Sequence, residues 1–583
     1  MRIGYIFLLC LFSAVNANAQ VFLRADGQKI VNEKGENILL RGIGLGGWML
    51  QEGYMLCLRS AGQQQHEIRK RIEKLLSKEQ TDEFYEVWLQ NHTTKADIDS
   101  LKAWGFNSVR LPMHYNLYTL PVEAEPVAGS NTWLTKGFAL TDSLLSWCKA
   151  NDMYLILDLH AAPGGQGNDL NISDRDSTKP SLWQSEANQR KTIALWQQLA
   201  ARYANEPNIG GYDIINEPNL GFTDATNDKN GINEKNNQPL KKLMVAITNA
   251  IREVDKNHLI IIEGNGWGNN YNGILTEGLW DKNMALSFHK YWNYNDEKSI
   301  EHIIQYRSKL NVPVWLGETG ENSNVWFTQA IHLLERNNIG WAWWPLKKLG
   351  ANNPLQVKSN LNYDRLLSYW NGESKDPPKE SDVYSGLLEL ATYTNIATNI
   401  KHYDVIDAMI RQPFTDDTKP FAESIIRPGA VVPAVNYDLG KNGFAYYDKD
   451  TANYRVAGQG GVGNRGGVYR SDGVDIYKDS SAYDAFYVGS IEDGEWLQYT
   501  INVIEAGFYK LVVNVASKNP GGMLSLTINQ KPVVSKTKVP ITGSDKTWKS
   551  MMIKNISLQK GVNKLKLYFD RGGYNFKNFS FGK

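Results

Sequence analysis

The sequence predicts a (β/α)₈ barrel of the TIM type followed by an all-β jelly-roll sandwich. Three observations carry this expectation. Between residues 37 and 347, apolar strand-like runs alternate with amphipathic helix-like stretches. These runs number about eight in roughly 300 residues, which suits a closed parallel barrel better than an open doubly wound sheet. Beyond residue 429 the texture changes to short alternating runs between Gly- and Asn-rich turns, the pattern of a sandwich.

Taken in order, residues 1–19 read as a secretory signal. Arg2 gives the positive start, residues 3–15 are mostly apolar, and Ala17-Asn18-Ala19 is a cleavage site, so a secreted protein starting at Gln20 is expected. The apolar run is too short for a membrane anchor, and Cys10 lacks the small residues that precede a lipidated cysteine. The barrel runs fall at 38–44, 108–113, 154–160, 210–217, 259–264, 285–291, 312–318 and 339–345, with amphipathic segments such as 187–204, 240–254 and 324–337 between them. Buried strands alternating with helices read as a parallel sheet. Residues 352–418 are read as the closing of the barrel plus an insertion, so the catalytic domain is placed at 20–412, a linker at 413–428 and the sandwich at 429–583.

Composition narrows the function. The 583 residues carry 63 basic and 62 acidic side chains, net +1, so neither a nucleic acid nor another polyanion is suggested as partner. After the signal only Cys57 and Cys148 remain, which gives no disulfide framework; Cys148 reads as a buried thiol. No metal-ligand spacing, H-E-x-x-H, G-x-S-x-G or P-loop is present. Nothing in the sequence sets an oligomeric state.

The chemistry is sought at the carboxyl ends of the strands, where barrel active sites form. Glu217 in Ile214-Ile215-Asn216-Glu217-Pro218 and Glu318 in Trp315-Leu316-Gly317-Glu318-Thr319-Gly320 each end an apolar run before a breaker. Two carboxyls facing one cleft suit glycoside hydrolysis, one protonating the leaving oxygen and one attacking the sugar carbon. The other polar strand ends are Arg110, His160, Asn216, His289, Tyr291 and Trp344. Arg110 and Tyr291 can hold the attacking carboxylate ionised, Asn216 can donate to a sugar 2-hydroxyl, and Trp344 can form a stacking floor. Taken singly these signals are weak, since a strand-end glutamate is often a cap and a lone His160 often core. The set gains weight because its members fall at the same end of six different strands. Glu263, which also ends a strand, is assigned structure or substrate contact.

These motifs resemble glycoside hydrolase family 5. The matching pieces are Arg41-Gly42-Ile43-Gly44-Leu45-Gly46-Gly47-Trp48, Val109-Arg110-Leu111-Pro112, Asp158-Leu159-His160-Ala161-Ala162-Pro163-Gly164, Asn216-Glu217-Pro218, Phe288-His289-Lys290-Tyr291, Gly317-Glu318-Thr319-Gly320 and Trp344-Pro345-Leu346-Lys347. The resemblance implies a retaining enzyme with Glu217 as acid/base on strand four and Glu318 as nucleophile on strand seven. It places Arg110, His160, Asn216, His289, Tyr291 and Trp344 at the other active-site positions and requires no cofactor or metal. The opening and closing motifs are most similar to the exo-1,3-glucanase branch. A polysaccharide substrate is expected, a β-linked glucan first and mannan or a heteropolysaccharide second, with a non-catalytic polysaccharide-binding protein as the rival class. The shape of the loops at 119–133, 164–183, 221–238 and 349–381 sets endo or exo action.

Residues 429–583 resemble a family-6 carbohydrate-binding module through Asn436-Tyr437-Asp438, Ala445-Tyr446-Tyr447-Asp448, Gly473-Val474-Asp475-Ile476, Gly494-Glu495-Trp496-Leu497-Gln498-Tyr499 and Gly572-Gly573-Tyr574-Asn575. Three departures stand out. Ala434-Val435 lacks a glutamate often used for structural calcium, and Ser490 and Asp545 stand where sugar-stacking rings are usual. Asn575 and Tyr446 remain as candidates for sugar contact. The alternatives are a sandwich that is a structural partner of the barrel, or one that binds through a sheet face.

Overall fold

Eight short parallel strands close into a barrel: β1 (Arg41–Gly44), β2 (Ser108–His114), β3 (Tyr154–Ala161), β4 (Ile209–Asp213), β5 (Ile260–Glu263), β6 (Met284–Lys290), β7 (Val314–Gly320) and β8 (Gly340–Trp344). Each pairs with the next, and β8 returns to β1 through Trp341, Ala342 and Trp343 opposite Arg41, Gly42 and Ile43. This computed structural model describes residues 21–427, 429–449, 464–480 and 485–583. The expected signal at 1–19, with Cys10, lies outside the described residues.

The runs are strands because they are buried on both faces, which a parallel barrel requires. Seven of the eight are buried at every residue, and in β1 only Arg41 is partly exposed. Helices cover the outside, and side chains cap several of them: Ser185 for Glu186–Tyr203, Asp296 for Glu297–Leu310 and Ser323 for Asn324–Arg336. Leu23 and Ile30, from the strands of a hairpin and its lead-in, pack with Tyr154, Leu259, Ala285 and Trp315 at the amino ends of the barrel strands. That end is plugged, so the carboxyl end is left for a site.

The largest difference in boundary from expectation is at the end of β4. Regular pairing of β4 ends at Asp213, not at Glu217: Ile214 and Asn216 still donate to the Ile261 and Leu159 carbonyls, both at 3.2 Å, and Glu217 then takes a left-handed φ of 42°. The insertion folds as helices Leu361–Trp370 and Glu380–Tyr393, which pack with Lys78–His92 around a second apolar core containing Phe84, Trp88, Leu366 and Leu390. Cys148 is buried and Cys57 half-buried, both as free thiols.

The C-terminal region forms two packed sheets. One contains Glu495–Val503, Gly561–Arg571, Met523–Ile528 and Lys531–Lys538; the other contains Ile476–Lys478, Phe486–Val488, Asn575–Gly582, Gly507–Ala516 and Lys549–Leu558. Within the expected linker, Ile425–Ile426 already pairs with Asn502 and Val503 as an edge strand. Sandwich and barrel meet through buried polar groups. Asn324 donates its backbone N–H to the Ser471 carbonyl at 2.8 Å, and its amide to Asp404 and Asp472 at 2.8 and 3.0 Å.

Lys347, just past β8, ties three parts of the domain together. Its ammonium donates to the carbonyls of His92 (2.6 Å) and Thr394 (2.8 Å) and pairs with Asp97 at 2.6 Å, with both side chains fully buried. Removing one partner of such a pair strands a charge, so Asp97→Ala is expected to cost about 3–5 kcal/mol in denaturant unfolding. A loss under about 1 kcal/mol, the range of an exposed pair, would show that the pair does not anchor the insertion.

Candidate active site

Arg110 sits in the middle of β2 with its side chain fully buried. Its Nη1 donates to Glu318 Oε2 at 2.8 Å; its Nη2 donates to Asp213 Oδ2 and Asn216 Oδ1, both at 2.8 Å, and to Glu263 Oε1 at 3.1 Å. Asp158 lies 3.2 Å away. One guanidinium thus gathers groups from β3, β4, the loop after β4, β5 and β7. Burial opposes its charge, but Asp158, Asp213 and Glu318 outweigh that and raise it well above its usual range.

Glu318, on β7, is held at both oxygens, by Arg110 and by the Tyr291 hydroxyl, which donates to Oε1 at 2.5 Å. Glu217 is set differently. His289 Nδ1 meets its Oε1 at 2.6 Å, and Glu263 accepts its backbone N–H at 2.7 Å. The left-handed φ of 42° at Glu217 is fixed from both sides, since Asn219 donates to its carbonyl at 2.8 Å. His160 packs its ring on Trp344 at 5.1 Å and 8°, while its Nδ1 meets Asp158 at 2.8 Å. Gln166 locks this corner by donating to the His160 and Asn216 carbonyls at 2.7 and 2.9 Å.

Each carboxyl acquires its own protonation. Burial pushes Glu217 up to about 7, against the pull of His289. Burial would also raise Glu263, but His289, Arg110 and the Glu217 N–H outweigh it and hold it at about 2. Burial and the neighbouring Glu263 raise Asp213 well above the carboxylate range, against the pull of Arg110. His289 is itself buried, yet the charges of Glu263 and Glu217 raise it well above an ordinary imidazole.

The two glutamates face a cavity of about 940 Å³, lined also by His160, His289, Tyr291 and Trp344. All eight residues proposed from the sequence are therefore gathered at one end of the barrel. Arg110 and Asn216 lie behind the cavity wall, and Glu263 is fully buried among Arg110, His289 and the Glu217 backbone. Sequence reasoning missed Glu52 and Tyr54, in the loop after β1, and Glu321 after β7, which also line the cavity. Tyr54 accepts from Trp344 Nε1 at 2.9 Å, and Glu321 pairs with Lys348 at 2.5 Å. Glu52 lies four residues past the Gly-rich opening motif, a position that only its place in the loop distinguishes. Asp158 and Asp213 ended or preceded strand ends and were equally visible as types.

Glu217, His289 and Glu318 offer ligand atoms within 4.8 Å of one another, a spacing a metal ion could use. Arg110 and Tyr291 already occupy both Glu318 oxygens and His289 faces Glu217, so the donors are committed within the protein. In the sandwich, Tyr446 is 1 % exposed with its ring 5.4 Å from Tyr437, which makes it core rather than a surface for sugar, contrary to expectation. Asn575 spends its amide on the Asp545 carbonyl at 2.8 Å.

Residues 70–350 match the family model for cellulase (glycosyl hydrolase family 5), and residues 468–583 match that for carbohydrate binding module (family 6). The chain is similar to a beta-xylosidase of Phanerodontia chrysosporium, at 25 % identity over 59 % of this chain and 75 % of the relative. It is similar to endoglucanase C of Acetivibrio thermocellus, at 24 % identity over 46 % of this chain and 88 % of the relative. A glucan 1,3-beta-glucosidase of Candida oleophila matches at 26 % identity over 44 % of this chain and 57 % of the relative.

Arg110→Lys tests the anchor. An ammonium has three donors where the guanidinium has five in a fixed fork, so it cannot serve Asp213, Asn216, Glu263 and Glu318 together. The variant is expected to lose about 3 kcal/mol or more in denaturant unfolding. An unchanged midpoint would show that the carboxylates do not depend on the fork.

Proposed function

From a chain that joins a family 5 glycoside hydrolase domain to a family 6 carbohydrate-binding module, we propose a secreted, retaining hydrolase of β-linked glucan. The observation that carries the mechanism is the approach of the two glutamates. Oxygens of Glu217 and Glu318 lie within 4.8 Å. Double displacement needs carboxyls about 5–5.5 Å apart, whereas an inverting pair needs about 6.5–9.5 Å to admit a water.

In the proposed reaction Glu318 attacks the anomeric carbon, and the bond to the leaving oxygen breaks as Glu217 gives that oxygen its proton. A covalent glycosyl-enzyme results. Glu217, now ionised, takes a proton from water, whose oxygen attacks the same carbon and frees Glu318. Arg110 and the Tyr291 hydroxyl hold both oxygens of Glu318, and burial pushes Glu217 up to about 7, which suits the division of labour that two carboxyls need. Asn216 Oδ1 accepts from Arg110, and its amide faces His160 Nε2 at 3.4 Å, so it orients the two groups beside the cavity. Glucan as substrate follows the endoglucanase and glucosidase relatives, with another β-glycan as the second reading. Secretion rests on the signal-like residues 1–19.

Four outcomes are expected. Glu318→Ala should lower hydrolysis of a β-glucan by about 10⁴-fold or more, and proton NMR of the first product should show the retained β-anomer; an α-anomer would sink double displacement. Because Glu217 must carry the proton, kcat/KM should fall as pH rises through about 7. In His289→Ala the charge that opposes burial is gone, so that alkaline limb should move to higher pH; a limb moving to lower pH would contradict the assignment of Glu217 as acid.

A further inference from the structure

Lys290 is the last residue of β6, next to His289, and lines the catalytic cavity. It is 3 % exposed, and among the described residues no carboxylate is in ion-pair contact with it. Its three N–H groups go to the loop that follows: the Asn293 carbonyl at 3.2 Å, the Asn293 side-chain oxygen at 2.5 Å and the Tyr294 carbonyl at 2.9 Å. Its ammonium also lies 4.9 Å from the centre of the Trp326 ring. A buried lysine normally needs an anion; here two successive residues and an aromatic face replace it. Burial pushes the ammonium down to about 7 against the field of Asp296.

Trp326 makes a second layer. Its indole N–H donates to the Asn293 carbonyl at 3.0 Å, and its own carbonyl accepts from Asn295 at 3.1 Å. The loop so wrapped carries Trp292 and Tyr294, which also line the catalytic cavity and are 67 % and 64 % exposed. Large rings left this open gain nothing from their own burial, so their position depends on the backbone beneath them.

We propose that Lys290 is a positioning residue for substrate length: by folding residues 292–295 around its ammonium it holds Trp292 and Tyr294 at the cavity lip, where their faces receive a sugar unit beyond the one that reacts. The assignment rests on the glycosidase reading above. Sugar rings present C–H faces that stack on such aromatics, and a lip that moves loses this contact while the carboxyl pair stays in place.

The test compares an aryl β-glycoside, which has no further sugar, with a β-linked gluco-oligosaccharide of four units. Lys290→Met is expected to raise KM for the oligosaccharide about 10-fold, the scale of one lost aromatic contact, and to leave kcat and the aryl substrate within about 2-fold. Trp292→Ala, at an exposed position that folding does not need, should give the same split, and the double variant should show less than the sum of the two effects. Equal losses on both substrates in Lys290→Met, or no length-dependent loss in Trp292→Ala, would overturn the assignment even if the lysine variant failed to fold. A wild type that cleaves neither substrate would overturn the glycosidase reading along with it, whereas an active wild type with unaltered variants would overturn this assignment alone.

Discussion

One guanidinium surrounded by four buried carboxyls is the constraint on which the catalytic end of the barrel depends. Asp158, Asp213, Glu263 and Glu318 approach Arg110 from four different strands, at 2.8 to 3.2 Å. Carboxylates packed that closely repel one another, and removing them from water adds a desolvation cost. The cluster holds together because the single fork is shared and because His289 lies between Glu217 and Glu263, at 2.6 and 3.2 Å. Closure of the barrel brings the strands into register, and the guanidinium then fixes where each carboxyl points.

The same arrangement separates the two glutamates of the proposed mechanism. Glu318 takes two hydrogen bonds from the strongest donors available, whereas Glu217 sits on a left-handed turn with a histidine shared between it and Glu263. Glu263, a possible rival for a catalytic role on sequence grounds, is instead the acceptor that fixes the Glu217 backbone and balances His289. Its burial behind the wall and its low protonation are two sides of that one role.

The sandwich is joined to the same machinery. Asn324, which begins the helix after β7, is held by Ser471 and Asp472, and two residues earlier Asn322 donates to the Tyr291 carbonyl at 3.0 Å. The segment that leaves the proposed nucleophile is therefore braced by the sandwich on one side and tied to the partner of that nucleophile on the other. The burial of Tyr446 belongs to this picture, since Tyr446 and Asp472 line a cavity of about 280 Å³ shared with Val325 and His332 of the barrel helix.

The sequence by itself determined the order of the strands, the end at which polar side chains gather and the two glutamates that face the cavity. Doubly buried runs leave no periodicity but their length and spacing, and a breaker after each marks where a polar side chain is delivered. The runs at 108–113, 154–160 and 312–318 were legible for that reason, and so were the sandwich strands, whose inward residues alternate. What the sequence could not supply depends on atoms brought together from distant positions. It could not show that β4 stops at Asp213, that Glu263 raises Asp213, that Glu52 and Glu321 face the cavity or that Tyr446 is core, because each of these is decided by neighbours that folding brings in from other elements, or by a backbone turn that those neighbours hold in place. Local pattern records which side chain a strand delivers; only the closed barrel decides which charges it meets.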